Sequence, residues 1–149
     1  MLGRAIFAFL ALPGVVAFAI PIALSGWASP FPSKHLIGVV PLSLGAYLLL
    51  WCVREFYVAG RGTLAPWAPP KHLVVTGPYR YSRNPMYVGV ALILLGWAAL
   101  YWSGALLLYA GCVLAAFHLR VVLAEEPWAA RTFGDAWASY RGRTPRWLL

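Results

Sequence analysis

Two short clusters in this chain have residue types and spacings that suit chemistry. The first is Gly77–Gly89, which reads GPYRYSRNPMYVG. Pro85 suits the first turn of a helix and Asn84 is a good N-cap before it. The free N–H groups and positive dipole end of that helix attract a carboxylate or phosphate, and Arg80 and Arg83 add donors. The same residues also fit a plainer role, an interfacial aromatic belt with snorkelling arginines. The second cluster is Glu125-Glu126, with Arg120 shortly before it. Adjacent carboxylates repel each other and basic lipid contacts do not need them, although a helix end countering a basic rim is the simpler account. Other chemistries lack their residues. No serine sits in a nucleophile motif, and Gly60-Arg61-Gly62 is a lone GxG with no strand before it. There is no P-loop and no His-x-x-x-His pair. His35, His72 and His118 are far apart, so no metal site is expected. No acid falls mid-way along an apolar run, as a proton-coupled transporter needs.

The elements that must position these clusters follow from composition. Of 149 residues, 62% are hydrophobic and 11% charged, against about 25% charged in a soluble domain. The mean hydropathy is +0.72. So few charges cannot cover a soluble globule of this size, and a disordered chain needs the opposite balance. An integral membrane protein remains. The net charge of +8 then points to anionic headgroups before nucleic acid. Cys52 and Cys112 lie in apolar runs and read as small buried hydrophobes. Three stretches lack Asp, Glu, Lys and Arg: 5–33, 35–53 and 84–119. The third, as one helix, would reach about 54 Å against a hydrocarbon core of about 30 Å. It therefore divides into two spans, with the break at Ser103-Gly104. The expectation is all-α: four transmembrane helices near 5–26, 36–57, 85–102 and 105–124, the last two a tight hairpin. Gly89 and Gly96 share one face, and Gly111 with Ala115 makes a small-xxx-small pair suited to close packing. Pro13 and Pro21 are tolerated in a membrane helix and kink it. The first apolar run is longer than the core of a signal peptide, so a span rather than a cleaved leader is expected.

With four spans, 11 of the 12 basic residues share one side with all four acids, and only Lys34 lies opposite. The positive-inside rule places both termini and both clusters in the cytoplasm, at the inner membrane. The loop from 58 to 83 is too long for a plain connector, and Trp67, Tyr79, Tyr81 and the apolar Leu73-Val74-Val75 argue for an ordered lid. Glu126-Pro127 predicts that helix four stops and a new amphipathic helix runs from Pro127 to about Tyr140. Its face of Ala129, Phe133, Ala136, Trp137 and Tyr140 suits the membrane surface.

Taken together, LVVTGPYRYSRNPMYVG and, two spans later, EEPWAARTFGDAWASYRGRTPRW resemble the isoprenylcysteine carboxyl methyltransferase and phospholipid methyltransferase superfamily. These are integral membrane enzymes. The likeness runs from Leu73 to Trp147, about half the chain, and follows the pattern Gly-x-Tyr-x-x-x-Arg-His-Pro-x-Tyr-x-Gly, a hairpin, then Glu-Glu, Phe-Gly, Tyr and Pro-Arg. It implies S-adenosylmethionine as cofactor and one domain, with two spans over 1–57 and a cofactor-binding core over 58–149. It implies that His72, Leu73, Val74 and Tyr79 line the pocket. It further implies that Asn84, Pro85, Met86 and Tyr87 hold the cofactor's amino-acid end, with Arg83 as a donor beside them. Glu125 and Glu126 follow on the fourth helix, and Arg120 is the nearest candidate for contact with the acceptor. Asn84 stands where the best-known eukaryotic members have His, so it can bind but cannot carry a charge. The implied acceptor is lipid-like (carboxylate, thiol or amine) and enters sideways from the bilayer near Trp128, Phe133 and Trp137. No nucleic acid or protein partner is expected. Alternatives are an NADPH-dependent lipid reductase of the same fold and a non-catalytic small membrane protein.

Overall fold

The structure is a computed structural model that describes residues 10–25, 33–60 and 70–148. Among these residues every regular element is helical. A π-helical segment Leu10–Ala19 leads into α1, Ile20–Ser25. A 3-10 turn, Ser33–Gly38, leads into α2, Val39–Val58. After the loop come a 3-10 turn, Gly77–Arg80, and α3, Pro85–Tyr101. Then α4, Gly104–Arg120, runs through a π turn, Val121–Glu125, into α5, Glu126–Arg143. Trp67 of the expected lid lies outside the described residues.

The apolar runs do become helices. Two are long and apolar enough to cross a membrane, Leu36–Val58 and Gly104–Arg143. Two shorter apolar helices, Pro13–Ser25 and Pro85–Tyr101, lie beside them. Only 22% and 17% of the two long apolar windows are buried by protein. Ile37, Val40, Leu44, Leu50, Leu108 and Leu123 stand exposed on them, far more contiguous apolar surface than water tolerates. Lipid is the solvent that fits these faces.

The hairpin breaks where the charge-free run had to divide. Trp102 adopts a left-handed conformation (φ 49°) and closes α3. Ser103 caps α4, its hydroxyl accepting from the Leu106 amide at 3.4 Å. The small residues of α3 that share one face pack on α2. Gly89 and Gly96 face α2, where a Cβ on Gly96 would lie 2.7 Å from the Leu42 amide and 2.8 Å from the Gly38 carbonyl. A Cβ on Gly111 would meet nothing within 4 Å among the described residues, and both it and Ala115 are exposed. The tight seam is therefore α2 on α3. The first helix shows how a proline is carried in a membrane. Pro21 has no N–H to give the carbonyl of Ala17 four residues back. Trp97 supplies it, its indole N–H donating at 2.9 Å, and the Tyr109 hydroxyl serves the Val16 carbonyl at 3.0 Å.

Helix four does not stop at Glu126. The residue keeps helical angles (φ −64°, ψ −43°) and the helix runs on through Pro127. In the π turn the amide of Glu126 bonds back to the Val121 carbonyl, five residues away. This widened turn gives the Pro127 ring room it lacks in a regular α-helix. The real interruption is Gly134, at φ 49° and ψ −122°, a conformation open to glycine alone. The apolar face of α5 also has a different use from the expected one. Ala129, Trp137 and Tyr140 are buried with Leu73, Trp128 and Phe133, so the face packs on the loop. The Tyr140 hydroxyl donates to the Tyr79 carbonyl at 2.7 Å.

Candidate functional site

The two adjacent acids of the helix four–five junction point into different surroundings. Glu125 faces the start of α3. Its Oε1 accepts from the Tyr87 hydroxyl and, at 2.7 Å, from Nε of Arg120. An acid and an arginine five residues apart are poorly aligned on an α-helix. The intervening π turn, with its i to i+5 register, brings them together. The Tyr87 ring is buried against Phe117, centroids 4.4 Å apart. The Glu125 and Arg120 side chains are 36% and 50% exposed, so this corner opens outward. Beside it an apolar groove of about 310 Å³ runs between α3 and α4, lined by Tyr87, Val88, Ala91, Leu114, His118 and Trp147. The Trp147 ring stacks over His118.

Glu126 faces the other way and is enclosed. Arg146 grips it with two parallel bonds, Nε to Oε1 and Nη2 to Oε2, both 2.9 Å. Nη1 of Arg83 lies 2.9 Å from the same Oε1. Arg83 is buried, its side chain 8% exposed, with its guanidinium over the Trp137 ring at 5.5 Å. Burial lowers its pKa and the Glu126 charge opposes that shift. Among the described residues Nε of Arg83 has no hydrogen-bond partner, and its Nη1 approaches Glu126 outside hydrogen-bond geometry. The segment 144–147 crosses this side as a strap. The Arg146 carbonyl accepts from Nδ2 of Asn84 at 3.0 Å and from the Ser82 hydroxyl at 3.2 Å, and the Pro145 carbonyl accepts from the Arg83 amide at 2.9 Å. Ser82 in turn accepts from the Asn84 amide at 3.1 Å. Asn84 thus precedes α3 with its side chain tied to the strap rather than to the helix's own amides.

The expected site residues therefore divide. Tyr87, Glu125 and Arg120 meet on one oxygen. Arg83, Asn84 and Glu126 meet through Arg146. Pro85 is buried at the first turn of α3, and Met86 packs against both the main core and the loop core. Leu73 lies under α5, and Val74 and Tyr79 are buried with Cys52. The Tyr79 ring packs on Phe56, centroids 5.4 Å apart, and burial raises its pKa well above the usual phenol range. His72 is exposed, tied by its amide to the Gly60 carbonyl at 3.4 Å. Of the aromatics expected at the lateral entrance, Trp137 is buried, with Trp128 and Phe133 packed on its cluster, and the groove between α3 and α4 lies against Trp147. Among the described residues no three His, Cys, Asp or Glu side chains are grouped to hold a metal.

Sequence reasoning passed over two participants. Arg146 carried a signal, since a Pro-Arg pair had been noted in the tail, but its partner Glu126 is 20 residues away. Glu55 had a clearer one: it is the only acid before residue 125, and it lies at the end of an apolar span. Thr76 donates to its Oε2 at 2.6 Å, and Trp51 donates to its Oε1 at 3.3 Å.

Comparison with known proteins bears on the family of the chain. The family model described as phospholipid methyltransferase matches residues 33–136. The cobalt-zinc-cadmium resistance protein CzcN of Cupriavidus metallidurans is 31% identical over 119 residues, 80% of this chain and 50% of the relative. The nickel-cobalt-cadmium resistance protein NccN of Alcaligenes xylosoxydans xylosoxydans is 28% identical over 133 residues, 88% of this chain and 58% of the relative. Their names speak of metal resistance and state no reaction. The protein-S-isoprenylcysteine O-methyltransferase of Schizosaccharomyces pombe is 36% identical over 75 residues, 50% of this chain and 32% of the relative. The chain spans about half the length of the first two relatives. No solved structure matches it significantly. The family match covers the seam of α2 on α3, the hairpin, and every residue that meets at Glu125, and on that ground this chain belongs to the phospholipid methyltransferase family.

Proposed function

We propose that this protein transfers the methyl group of S-adenosylmethionine to a lipid-like acceptor at the cytoplasmic face of the inner membrane. The observation that carries the reading is the meeting of Tyr87, Glu125 and Arg120 at one carboxylate oxygen beside an apolar groove. The cofactor supplies an electrophilic methyl on a sulfonium and leaves as a neutral sulfide. The side chains present suit its parts. Arg83 holds a buried Nε with no partner among the described residues, a donor for the cofactor's carboxylate. Glu125 uses Oε1 for both of its bonds among the described residues. Its other oxygen suits an ammonium or ribose hydroxyl. The Tyr87 ring beside a cation adds about 0.5–2 kcal/mol. Leu73, Val74, Tyr79, Pro85 and Met86 form the packed frame that fixes these groups, with His72 at the exposed loop edge, and Asn84 and Glu126 clamp the strap.

Transfer needs the acceptor held in line and water kept away. The groove between α3 and α4 receives the acceptor's apolar part from the bilayer, and Arg120 meets its polar head. A carboxylate or thiolate acceptor needs no base, while an amine must first lose a proton. Four spans place the loop, both acids and both termini in the cytoplasm, in keeping with the distribution of basic residues. The test has two arms. Detergent-purified protein should bind S-adenosylhomocysteine. Membranes containing it, given methyl-labelled cofactor, should yield a labelled lipid by mass spectrometry that is clearly reduced at limiting cofactor when Glu125→Gln replaces the native chain. Absence of both binding and a labelled lipid refutes the reading.

A further inference from the structure

We propose that Glu55, on the last turn of α2, is a positioning residue that latches the loop strand 73–79 in its binding shape. The proposal rests on the reading that this strand frames the cofactor. Glu55 is 8% exposed, a carboxylate withdrawn from water at the end of an apolar helix, where burial is costly unless its oxygens are used. Oε2 is used by the loop itself, and Oε1 by neighbours on α2. The Thr76 hydroxyl donates to Oε2 at 2.6 Å across 21 residues of sequence. Trp51 Nε1 donates to Oε1 at 3.3 Å, and Arg54 Nη1 reaches the same oxygen at 3.1 Å from a side chain 68% exposed.

The loop's backbone is shaped to this acid. Gly77 sits at φ +56°, where a Cβ would lie 2.9 Å from Cγ of Glu55 and 3.0 Å from Nε1 of Trp51. A side chain there would be strained in conformation and would collide with the latch. The loop is pinned a second time next door. The amides of Ala59 and Gly60 bond to the Glu55 carbonyl at 2.8 and 3.2 Å, and the Gly60 carbonyl accepts from Lys71 at 2.9 Å. Between these pins lie Leu73 and Val74, and just beyond them Tyr79 packs on Cys52 and Phe56. Neither Glu55 nor Thr76 has a hydrogen bond or ion pair with Tyr87, Glu125 or Arg120 among the described residues. The latch therefore acts on the loop and through it on the cofactor. Its formation before binding removes an ordering cost that binding otherwise bears.

The experiment measures S-adenosylhomocysteine binding to detergent-purified protein by calorimetry, alongside tryptic cleavage at Lys71 and Arg80. Thr76→Val, an exposed-position change that leaves the acid in place, should weaken binding roughly tenfold and speed cleavage, with ligand restoring protection. Glu55→Ala should do the same where it folds. Glu55→Gln keeps an oxygen for Thr76 and should recover most of the affinity, which a purely structural defect would not predict. Wild-type affinity and cleavage rate in Thr76→Val overturn the latch. A wild-type protein that binds no ligand overturns the cofactor reading instead, and the two failures are distinguishable.

Discussion

Glu125 and Glu126 are neighbours in sequence, on one helix, with the same side chain, yet the fold gives them opposite tasks. Glu126 is enclosed by Arg83 and Arg146 and holds the strap 144–147 across the start of α3. Glu125 stands at the edge of a groove, sharing one oxygen between Tyr87 and Arg120. A buried carboxylate with two guanidiniums is saturated and has little to offer a ligand. A half-exposed one with an oxygen to spare can exchange partners at modest cost. The pair is one structural bolt and one carboxylate left open to a ligand.

The largest effect expected from breaking this comparison is on stability. Glu126→Ala leaves Arg83 buried without its counter-charge, a loss of about 3 kcal/mol. It should appear as a clearly lowered thermal midpoint of the ligand-free protein in detergent. Glu125→Gln should leave that midpoint nearly unchanged, because an exposed pair with Arg120 is worth about 0–1 kcal/mol. It should instead weaken S-adenosylhomocysteine binding about tenfold, or about 1.4 kcal/mol. Equal loss of stability in both variants would erase the distinction between bolt and open carboxylate.

How much of this was legible in the sequence depends on how far apart the partners lie. The helix positions followed from charge-free runs and a fixed rise per residue, and the Ser103-Gly104 break from simple length. Tyr87 and Glu125 stood out because their motifs are local and carry chemistry in a few residues. The latch from Glu55 to Thr76 and the grip of Arg146 on Glu126 join segments with no shared period, so no pattern marks them. The π turn was hidden for a different reason. Val121–Glu125 reads as ordinary helix, and the rule that proline ends a helix assumes a regular turn before it. The widened turn removes that assumption, and with it the expected stop at Glu126. The small-residue pattern of Gly89 and Gly96 correctly signalled close packing but could not name the partner, which is α2.

A smaller effect sharpens the role of Arg120. Its Nε lies on Glu125, so Arg120→Ala frees a carboxylate that the cofactor is proposed to use. Cofactor affinity should change by no more than about twofold, consistent with a half-exposed pair. Turnover with the native lipid acceptor should fall about fivefold, because a half-exposed charged contact with the acceptor head, worth about 1 kcal/mol, is lost. A parallel fall in cofactor affinity would move Arg120 into the cofactor pocket.

The smallest expected effect is that of Tyr87→Phe, and it separates orientation from contact. The ring of Tyr87 fills the space beside Phe117 and lines the groove, and phenylalanine keeps that volume. What disappears is one donor to Glu125. Arg120 still reaches the same oxygen at 2.7 Å, so the carboxylate keeps one of its two anchors. The loss is then that of a single hydrogen bond whose acceptor has another partner, about 0.5–1 kcal/mol, or two- to fivefold in S-adenosylhomocysteine affinity. Tyr87→Ala must cost more, since it also opens a cavity beside Phe117. If Tyr87→Phe weakens binding as much as Glu125→Gln, the hydroxyl is not an anchor but part of one unit with the acid. The double variant then decides: a combined loss no larger than either single loss shows one unit, and additive losses show two independent contacts.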